Sequence, residues 1–251
     1  MNNTTNIDSQ IQNSRRALST LENKAILYLI SKIHPDDAPG THYIFNCCEF
    51  LSLIKWNPES SYENIRRMLK RIASVQWWIN LDEHTEALVS WFHIIRMANG
   101  TGNIEISFHE DIFPLLCKLH DKNNSAGSLY AYSSLQSMML LKHHYSSRIY
   151  ELLQSNRLSG QPLTFENGTR TSQDLQLQIA DNLLDPRSGA SLSSIPKHWS
   201  NWAVFKRDVL DPAVKEINRC TDITISYEGK KEDFHHNTTK AVRTITFYVG
   251  G

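Results

Sequence analysis

The sequence predicts an α+β fold in which one order of elements occurs twice. Each half of the 251-residue chain contains a short helix, a second helix with a cationic face, and then a β-hairpin. Capping boxes and apolar residues at helical spacing predict the helices. Alternating aromatic and β-branched residues beside turn residues predict the hairpins. The recurrence lies in the pattern of elements, without a residue-level repeat.

Two capping boxes mark the helices of the first half. The box Ser19–Glu22 begins a helix that the Pro- and Gly-containing segment 34–40 ends. The box Ser60–Glu63 begins a second helix. The apolar face of that second helix consists of Tyr62, Ile65, Leu69 and Ile72. A short strand near Tyr43–Phe45 and a short helix at residues 48–55 are predicted between the two.

A hairpin follows the second helix. Residues 76–81 and 87–95 are rich in aromatic and β-branched residues, and the polar segment 82–84 between them suits a turn. After the strong turn signal at residues 99–102, alternation over residues 103–108 predicts a third strand. A helix near residues 113–119 and another at 135–153 complete this half.

The second half repeats the order after the break at residues 158–162. A short strand at Leu163–Phe165 and a helix carrying Leu175 and Ile179 come first. A helix with apolar residues at helical spacing then begins near Ser200, and Pro212 inside it predicts either a kink or a restart of the helix. Strands at residues 222–228 and 242–249 flank a long polar loop.

This order of elements is the winged-helix version of the helix-turn-helix, so we expect two tandem winged-helix domains. The boundaries are predicted at residues 18–157 and 158–251. The polar segment 1–17 lacks the apolar core of a signal peptide and is predicted to be a disordered N-terminal arm.

Charge and composition restrict the possible functions. The chain has 26 Lys+Arg and 26 Asp+Glu, so its formal net charge is zero and any nucleic-acid role needs a local basic face. No apolar run approaches the roughly 18 residues of a membrane span. The four cysteines form no Cys-x-x-Cys pair, which predicts reduced thiols in a cytoplasmic protein with no membrane partner.

The first cationic helix has the charge pattern of a phosphate-binding surface. Its four cations fall on a face separate from the apolar one: Arg66, Arg67, Lys70 and Arg71. Outward-facing cations of this kind can neutralise DNA phosphates. A solvated helix face is the plainer interpretation of the same pattern.

The second cationic helix has residue types that suit base reading. Its N-terminal turns hold the candidates Lys197, Ser200, Asn201, Lys206 and Arg207. Arginine can bind guanine bidentately and asparagine can bind adenine. The polar loop between the last two strands adds Lys230, Lys231 and Lys240. Residues 186–243 hold ten Lys+Arg against seven Asp+Glu, a small positive excess. A capped surface helix is the alternative interpretation.

No pattern of catalytic residues stands out. His143 and His144 precede Tyr145 and Tyr150, which suggests a nicking enzyme with a metal and a tyrosine nucleophile, but that chemistry needs a His-x-His pair and none occurs. Walker, Gly-x-Gly-x-x-Gly and His-Glu-x-x-His motifs are also missing from the sequence. We therefore expect no enzyme activity, no metal and no cofactor.

Four segments resemble the iteron-binding replication initiator (Rep) proteins of theta-replicating plasmids. Residues 18–30 are similar to the opening helix of the family, and residues 65–72 with the Trp77–Trp78 pair follow as in the family. Residues 145–153 are similar to the helix that closes the first domain. Residues 205–218 are similar to the recognition helix of the second. Three features depart from the family: the neutral net charge, the acidic Asp208 where a basic residue is common, and a loop at residues 185–196 that is longer and richer in Gly and Ser than expected within a helix-turn-helix.

The resemblance implies a mechanism. The second domain would read repeated origin DNA, while the first would contact the adjacent DNA and form a homodimer. Monomers would start replication and dimers would repress the initiator's own gene. Host replication proteins, namely a helicase or its loader and an initiator, would then assemble at the origin. A winged-helix transcriptional regulator without origin function is the first alternative. A rolling-circle nicking enzyme and a protein that makes only protein contacts are the others.

Overall fold

The chain divides into two units, Met1–Leu140 and Leu141–Gly251. The computed structural model describes residues 18–34, 36–56, 61–82, 84–98, 100–118, 137–154, 160–169, 174–180, 195–234 and 237–250. The predicted N-terminal arm at residues 1–17 and most of the loop at residues 185–196 lie outside these ranges. No helix in the described ranges is both long enough and apolar enough to cross a membrane.

In the described part of the first unit the helices are α1 (Thr20–Ile30), α2 (Cys47–Leu53), α3 (Ser61–Ser74) and α4 (Phe113–Lys118). The predicted capping box of α1 is confirmed, because Glu22 N donates to Ser19 Oγ and Ser19 N donates to the Glu22 carboxylate at 2.7 Å. Asn46 caps α2 by accepting from Glu49 N at 2.8 Å. Ser60, the first residue of the second predicted box, lies outside the described residues.

The strands that the structure describes in the first unit form two sheets: β1 (His42–Asn46), β2 (Gln76–Asn80), β3 (Glu86–Ser90), β4 (Phe92–Met97) and β5 (Asn103–Phe108). The hairpin β2–β3 is a two-stranded sheet, and the other sheet has the order β1-β5-β4. The single strand predicted over residues 87–95 was wrong, because Trp91 interrupts it. The Trp91 side chain is fully buried and packs on Trp77 with 5.0 Å between ring centroids. The chain therefore changes sheets at this residue.

An aromatic cluster forms part of the core of the first unit. Tyr28 of α1 lies 5.2 Å from Phe45 of β1 and 5.6 Å from Phe50 of α2, measured between ring centroids. On α3, the predicted apolar residues Ile65, Leu69 and Ile72 are buried, whereas Tyr62 is exposed. The cationic face of α3 is thus held outward by burial of the opposite face.

The second unit contains α5 (His144–Gln154), β6 (Leu163–Glu166), α6 (Leu175–Ile179), a 3-10 turn (Lys197–Ser200), α7 (Trp202–Phe205), a π-helical turn (Lys206–Leu210), α8 (Asp211–Cys220), β7 (Thr224–Phe234) and β8 (Asn237–Gly250). The strands form one sheet in the order β6-β8-β7. The hairpin β7–β8 extends well into the segment predicted to be a loop, so Lys230 and Lys231 lie in β7 and Lys240 in β8. The predicted loop position of these lysines was therefore wrong.

Helix α5 contributes to the core of the second unit. The sequence-based boundary at residue 157 placed it in the first, whereas the contacts divide the chain after Leu140. Tyr150 is fully buried and donates to Asp222 at 2.7 Å, just beyond the end of α8. Glu216 of α8 accepts hydrogen bonds from the backbone N–H groups of Lys142 and His143, at 2.9 and 3.0 Å. Periodicity shows that α5 has an apolar face, but not which unit covers it.

The helical elements from Trp202 to Cys220 follow one another without a break, and we name them helix 202–220. Pro212 lies in the first turn of α8, but Asp211 does not cap it and Leu210 keeps right-handed helical angles. A proline has no N–H to donate and its ring crowds the carbonyl one turn earlier. The wider π turn at Lys206–Leu210 immediately precedes Pro212 and offers this carbonyl more room. The helix therefore widens rather than restarting with a side-chain cap.

Candidate nucleic-acid interface

All four cations predicted on α3 are exposed: Arg66, Arg67, Lys70 and Arg71. Arg71 binds the buried carboxylate of Glu22 with 3.1 Å between Nε and Oε1, so it also links α3 to α1. Arg66 lies 4.0 Å from Glu63, one turn earlier on the same helix. Neither Arg67 nor Lys70 forms an ion pair with any residue in the described ranges. The centre of this face therefore keeps its positive charge.

The start of helix 202–220 is fixed by the residues that precede it. Asn201 caps α7, because its Oδ1 accepts from Ala203 N at 3.0 Å. Ser200 donates to the carbonyl of Lys197 at 2.8 Å within the 3-10 turn. Both residues were predicted to read bases, and the structure places their side chains on backbone groups at the entrance of the helix. The Lys197 side chain is exposed beside them.

Two tryptophans pack the start of helix 202–220 against other elements of the second unit. Trp199 is buried and lies 5.2 Å from both Tyr145 and Phe205, measured between ring centroids. Trp202 packs so closely on Gly229 of β7 that a Cβ added there would lie 2.8 Å from the indole. The absence of a side chain at residue 229 thus allows the hairpin to sit against the first turn of the helix.

A network of buried polar side chains also stabilises the segment that precedes helix 202–220. Gln176 Nε2 donates to Asn167 Oδ1 at 2.9 Å and to the Trp199 carbonyl at 3.1 Å. Asn167 in turn donates to the carbonyl of Val242 at 2.9 Å. The network joins α6, the 3-10 turn and β8, and buried polar groups satisfied in this way favour one arrangement of their elements.

Both cations at the start of helix 202–220, Lys206 and Arg207, have an acidic neighbour, whereas on α3 Arg67 and Lys70 have none within the described ranges. Lys206 Nζ lies 4.0 Å from Asp211, which also accepts from the Tyr227 hydroxyl at 2.6 Å. Arg207 donates to both carboxylate oxygens of Asp208, from Nε at 2.6 Å and from Nη2 at 2.9 Å. These hydrogen bonds lower the pKa of Asp208 below its ordinary value and raise that of Arg207.

The lysines of the hairpin complete the set of predicted contacts. Lys230 and Lys231 are both exposed on β7, where the pairing with β8 shifts register between them. Side chains of successive strand residues ordinarily alternate between the two faces, and such an irregularity changes this alternation. The side chain of Lys240 lies outside the described part of the chain.

The residues that suggested nicking chemistry have other partners here. Tyr150 is fully buried against Asp222 and so is not placed as an accessible nucleophile. His143 packs on Tyr145, with 5.4 Å between ring centroids. Within the described ranges, no group of three or more His, Cys, Asp or Glu side chains could hold a metal ion.

Sequence reasoning missed three contributions to this surface: the carboxylates of Asp208 and Asp211, and the space left by Gly229. Asp208 stood out in the sequence only as a departure from the family pattern, because ion pairs within a helix depend on the direction of the side chains. A glycine inside a predicted strand is a recognised sign of close approach by another group. That signal was present at residue 229.

Two family models match the chain one after the other, and the first of these matches extends through α5. The model of the family "Initiator Replication protein, WH1" matches residues 7–154, and that of "Initiator Rep protein, WH2" matches residues 191–249. Among solved structures, the Pi initiator protein in complex with iteron DNA matches with a TM-score of 0.68 and 16% identity. That match covers 95% of this chain and 93% of the other.

A second solved structure matches only in part. It is the WH1 domain of MSBI1.176, a replication protein isolated from a multiple sclerosis patient, with a TM-score of 0.42 and 13% identity over 55% of this chain and 98% of that domain. No curated protein matches the chain. The likeness to the Pi initiator shows the fold of the whole chain, namely two winged-helix domains in tandem.

Proposed function

The chain belongs to the initiator replication protein family, because the WH1 and WH2 models of that family both match it. We propose that it binds repeated duplex DNA at a plasmid replication origin and starts replication there. The observation that carries the proposal is the pair of exposed cationic helix faces, α3 and the N-terminal part of helix 202–220. Each belongs to a winged-helix domain, and a hairpin follows each helix.

The second unit is proposed as the principal reader of the repeated sequence. The N-terminal turns of a recognition helix enter the major groove, and these turns carry Lys206 and Arg207 here. The capping of α7 and the packing of Trp202 on Gly229 support this assignment because they fix the position of those turns. The exposed Lys230 and Lys231 on β7 would lie against phosphates beside the groove.

The first unit is proposed to bind adjacent DNA and to form the homodimer. Arg67 and Lys70 support the DNA contact, since unneutralised cations suit phosphates. The dimer is supported by an exposed apolar pair on the hairpin β2–β3, where Trp78 and Leu88 lie directly opposite each other and are each about half exposed. Exposed apolar patches of this kind mark protein contacts.

Further parts of the proposal rest on the family resemblance. The dimer would repress the chain's own gene, whereas the monomer would recruit host proteins, namely a helicase or its loader and an initiator. The site of action would be the cytoplasm, where plasmid DNA is replicated. The chain would supply DNA binding and leave catalysis to those partners.

Fluorescence anisotropy at several salt concentrations tests the DNA-binding step. The probe is the DNA that flanks this chain's own gene, and a scrambled duplex of the same length is the control. We expect tight binding to repeats in the flanking DNA. Roughly six to eight phosphate contacts would give a slope of about −5 to −7 in a log–log plot of affinity against salt. Equal and salt-independent binding to both duplexes would contradict the proposal.

Plasmid rescue then separates an initiator from a winged-helix transcriptional regulator, which would share every DNA-binding result. The chain is expressed in trans beside a plasmid that carries the repeats but no other origin. Replication of that plasmid supports an initiator. Binding without replication identifies a regulator.

A further inference from the structure

The Arg207–Asp208 pair is unusual on a helix proposed to bind DNA. Phosphate affinity comes from unneutralised cations, yet Asp208 cancels the charge of its neighbour. The side chains are 72% and 40% exposed, so burial does not require them to pair. Exposed ion pairs also contribute little to folding stability. An effect on binding explains the pair better than an effect on stability.

The two hydrogen bonds orient the guanidinium group. Nε donates to Oδ1 at 2.6 Å and Nη2 donates to Oδ2 at 2.9 Å, so the carboxylate occupies the Nε side of the planar group. One N–H of Nη2 and both of Nη1 then point away from Asp208. Donors at this end of an arginine match the O6 and N7 acceptors on the major-groove edge of guanine.

The backbone that carries the pair is anchored on the core. Arg207 and Asp208 belong to the π-helical turn Lys206–Leu210. Phe205 before them and Val209 and Leu210 after them are all fully buried. A guanidinium that is oriented on an anchored turn loses less conformational freedom when it binds a base, and this pre-organisation favours specific contacts.

We infer that Asp208 is a positioning residue that orients Arg207 to read a guanine, at the expense of affinity for DNA phosphates. The inference rests on the proposed DNA-binding function and deepens it. A neutral pair gains little from the phosphate charge that every sequence presents. The outward N–H groups of Arg207 can still donate to a guanine. The pair therefore contributes mainly to discrimination between bases. The acidic residue is then part of how this helix selects a sequence.

Selection from a pool of duplex DNA with a randomised central segment tests this inference. The full chain is compared with three variants: Asp208→Asn, Arg207→Lys and Asp211→Asn. The wild type should enrich a sequence that contains a required guanine. Arg207→Lys keeps the charge but cannot bond bidentately, so preference for that guanine should fall about 5- to 150-fold. Asp208→Asn should lower it about 2- to 5-fold, as expected for losing one exposed pair.

Asp211→Asn is the matched control. It removes the same negative charge one turn further along, and the new amide oxygen can still accept from Tyr227. Both aspartate variants should bind unselected duplex more tightly, with a salt slope steeper by up to about 1. Only Asp208→Asn should also lose guanine preference.

Two results would contradict the inference about Asp208 while leaving the proposed DNA-binding function intact. One is an unchanged guanine preference in Asp208→Asn, and the other is an equal loss in both aspartate variants. If the wild type enriches no sequence, the proposed function fails and the inference fails with it.

Discussion

The two cationic helices differ in how their charge is balanced, although both precede a hairpin in a winged-helix unit. On α3, Arg67 and Lys70 have no acidic partner within the described ranges, whereas Arg66 and Arg71 each pair with a glutamate. On helix 202–220, Lys206 faces Asp211 and Arg207 is held by Asp208. This difference supports the proposal that the two winged-helix units divide sequence-independent attraction from base selection.

The two hairpins differ in a parallel way. β2–β3 is a two-stranded sheet whose outer face carries the exposed pair Trp78 and Leu88. β7–β8 belongs to a three-stranded sheet with β6 and carries the exposed Lys230 and Lys231. An apolar face suits a protein partner and a cationic face suits phosphates. The hairpins thus point to the same division of roles as the helices.

The largest expected effect comes from the close packing of Trp202 on the second hairpin. In Gly229→Ala the added methyl group would lie 2.8 Å from the Trp202 ring and 3.0 Å from Val242, so something must move. We expect a loss of about 1–3 kcal/mol in the free energy of unfolding, measured by urea denaturation. Specific DNA binding should weaken because the start of helix 202–220 shifts.

Gly250→Ala is the control for this change. It lies in the same sheet, and an added Cβ would meet nothing nearer than 3.9 Å. Equal stability of the two variants would show that the hairpin does not depend on the contact with Trp202.

Alanine substitutions on the two helices test the division of roles directly. Arg207→Ala should cost about 1–3 kcal/mol of binding to the selected sequence and relax preference at one base pair. Arg67→Ala combined with Lys70→Ala should weaken binding to all duplexes alike and reduce the salt slope by about 2. Anisotropy titrations with repeat and scrambled DNA measure both effects. The same loss of base preference in both proteins would remove the distinction between the helices.

The smallest expected effect is on stability, and it comes from the Glu216 carboxylate of α8, which accepts hydrogen bonds from the backbone just before α5. Burial alone would raise the pKa of Glu216, but hydrogen bonds, including those from the Lys142 and His143 N–H groups, lower it overall. A carboxyl whose pKa is lower in the folded state stabilises the fold above its unfolded-state pKa. That contribution disappears as the pH falls through the folded-state value.

Glu216→Gln should therefore be less stable than the wild type by about 1 kcal/mol at neutral pH. The difference should shrink as the pH falls below the ordinary glutamate value of 4.5. Chemical denaturation between neutral and acidic pH measures it. Glu110→Gln, which alters an exposed carboxylate in the other unit, is the control. A difference that persists unchanged in acid would exclude the charge of Glu216 as its source.

Local signals in the sequence were sufficient for most elements and for the choice of fold. The cap of α1 and the apolar face of α3 follow from chemistry within a few residues. The structure confirms the cap and the burial of Ile65, Leu69 and Ile72, although Tyr62 is exposed. The exposed cations of α3 follow from the same periodicity.

Other features depended on which residues meet across the fold. The break at Trp91, the extended hairpin β7–β8 and the placement of α5 beside α8 were not predictable from local patterns. The reason is physical: periodicity marks a face for burial, but the element that covers that face comes from distant sequence. The composition therefore determines a neutral chain with local basic faces. Packing determines that Asp208 binds Arg207 while Arg67 and Lys70 have no acidic partner in the described part of the chain, which is the contrast on which the proposed division of roles rests.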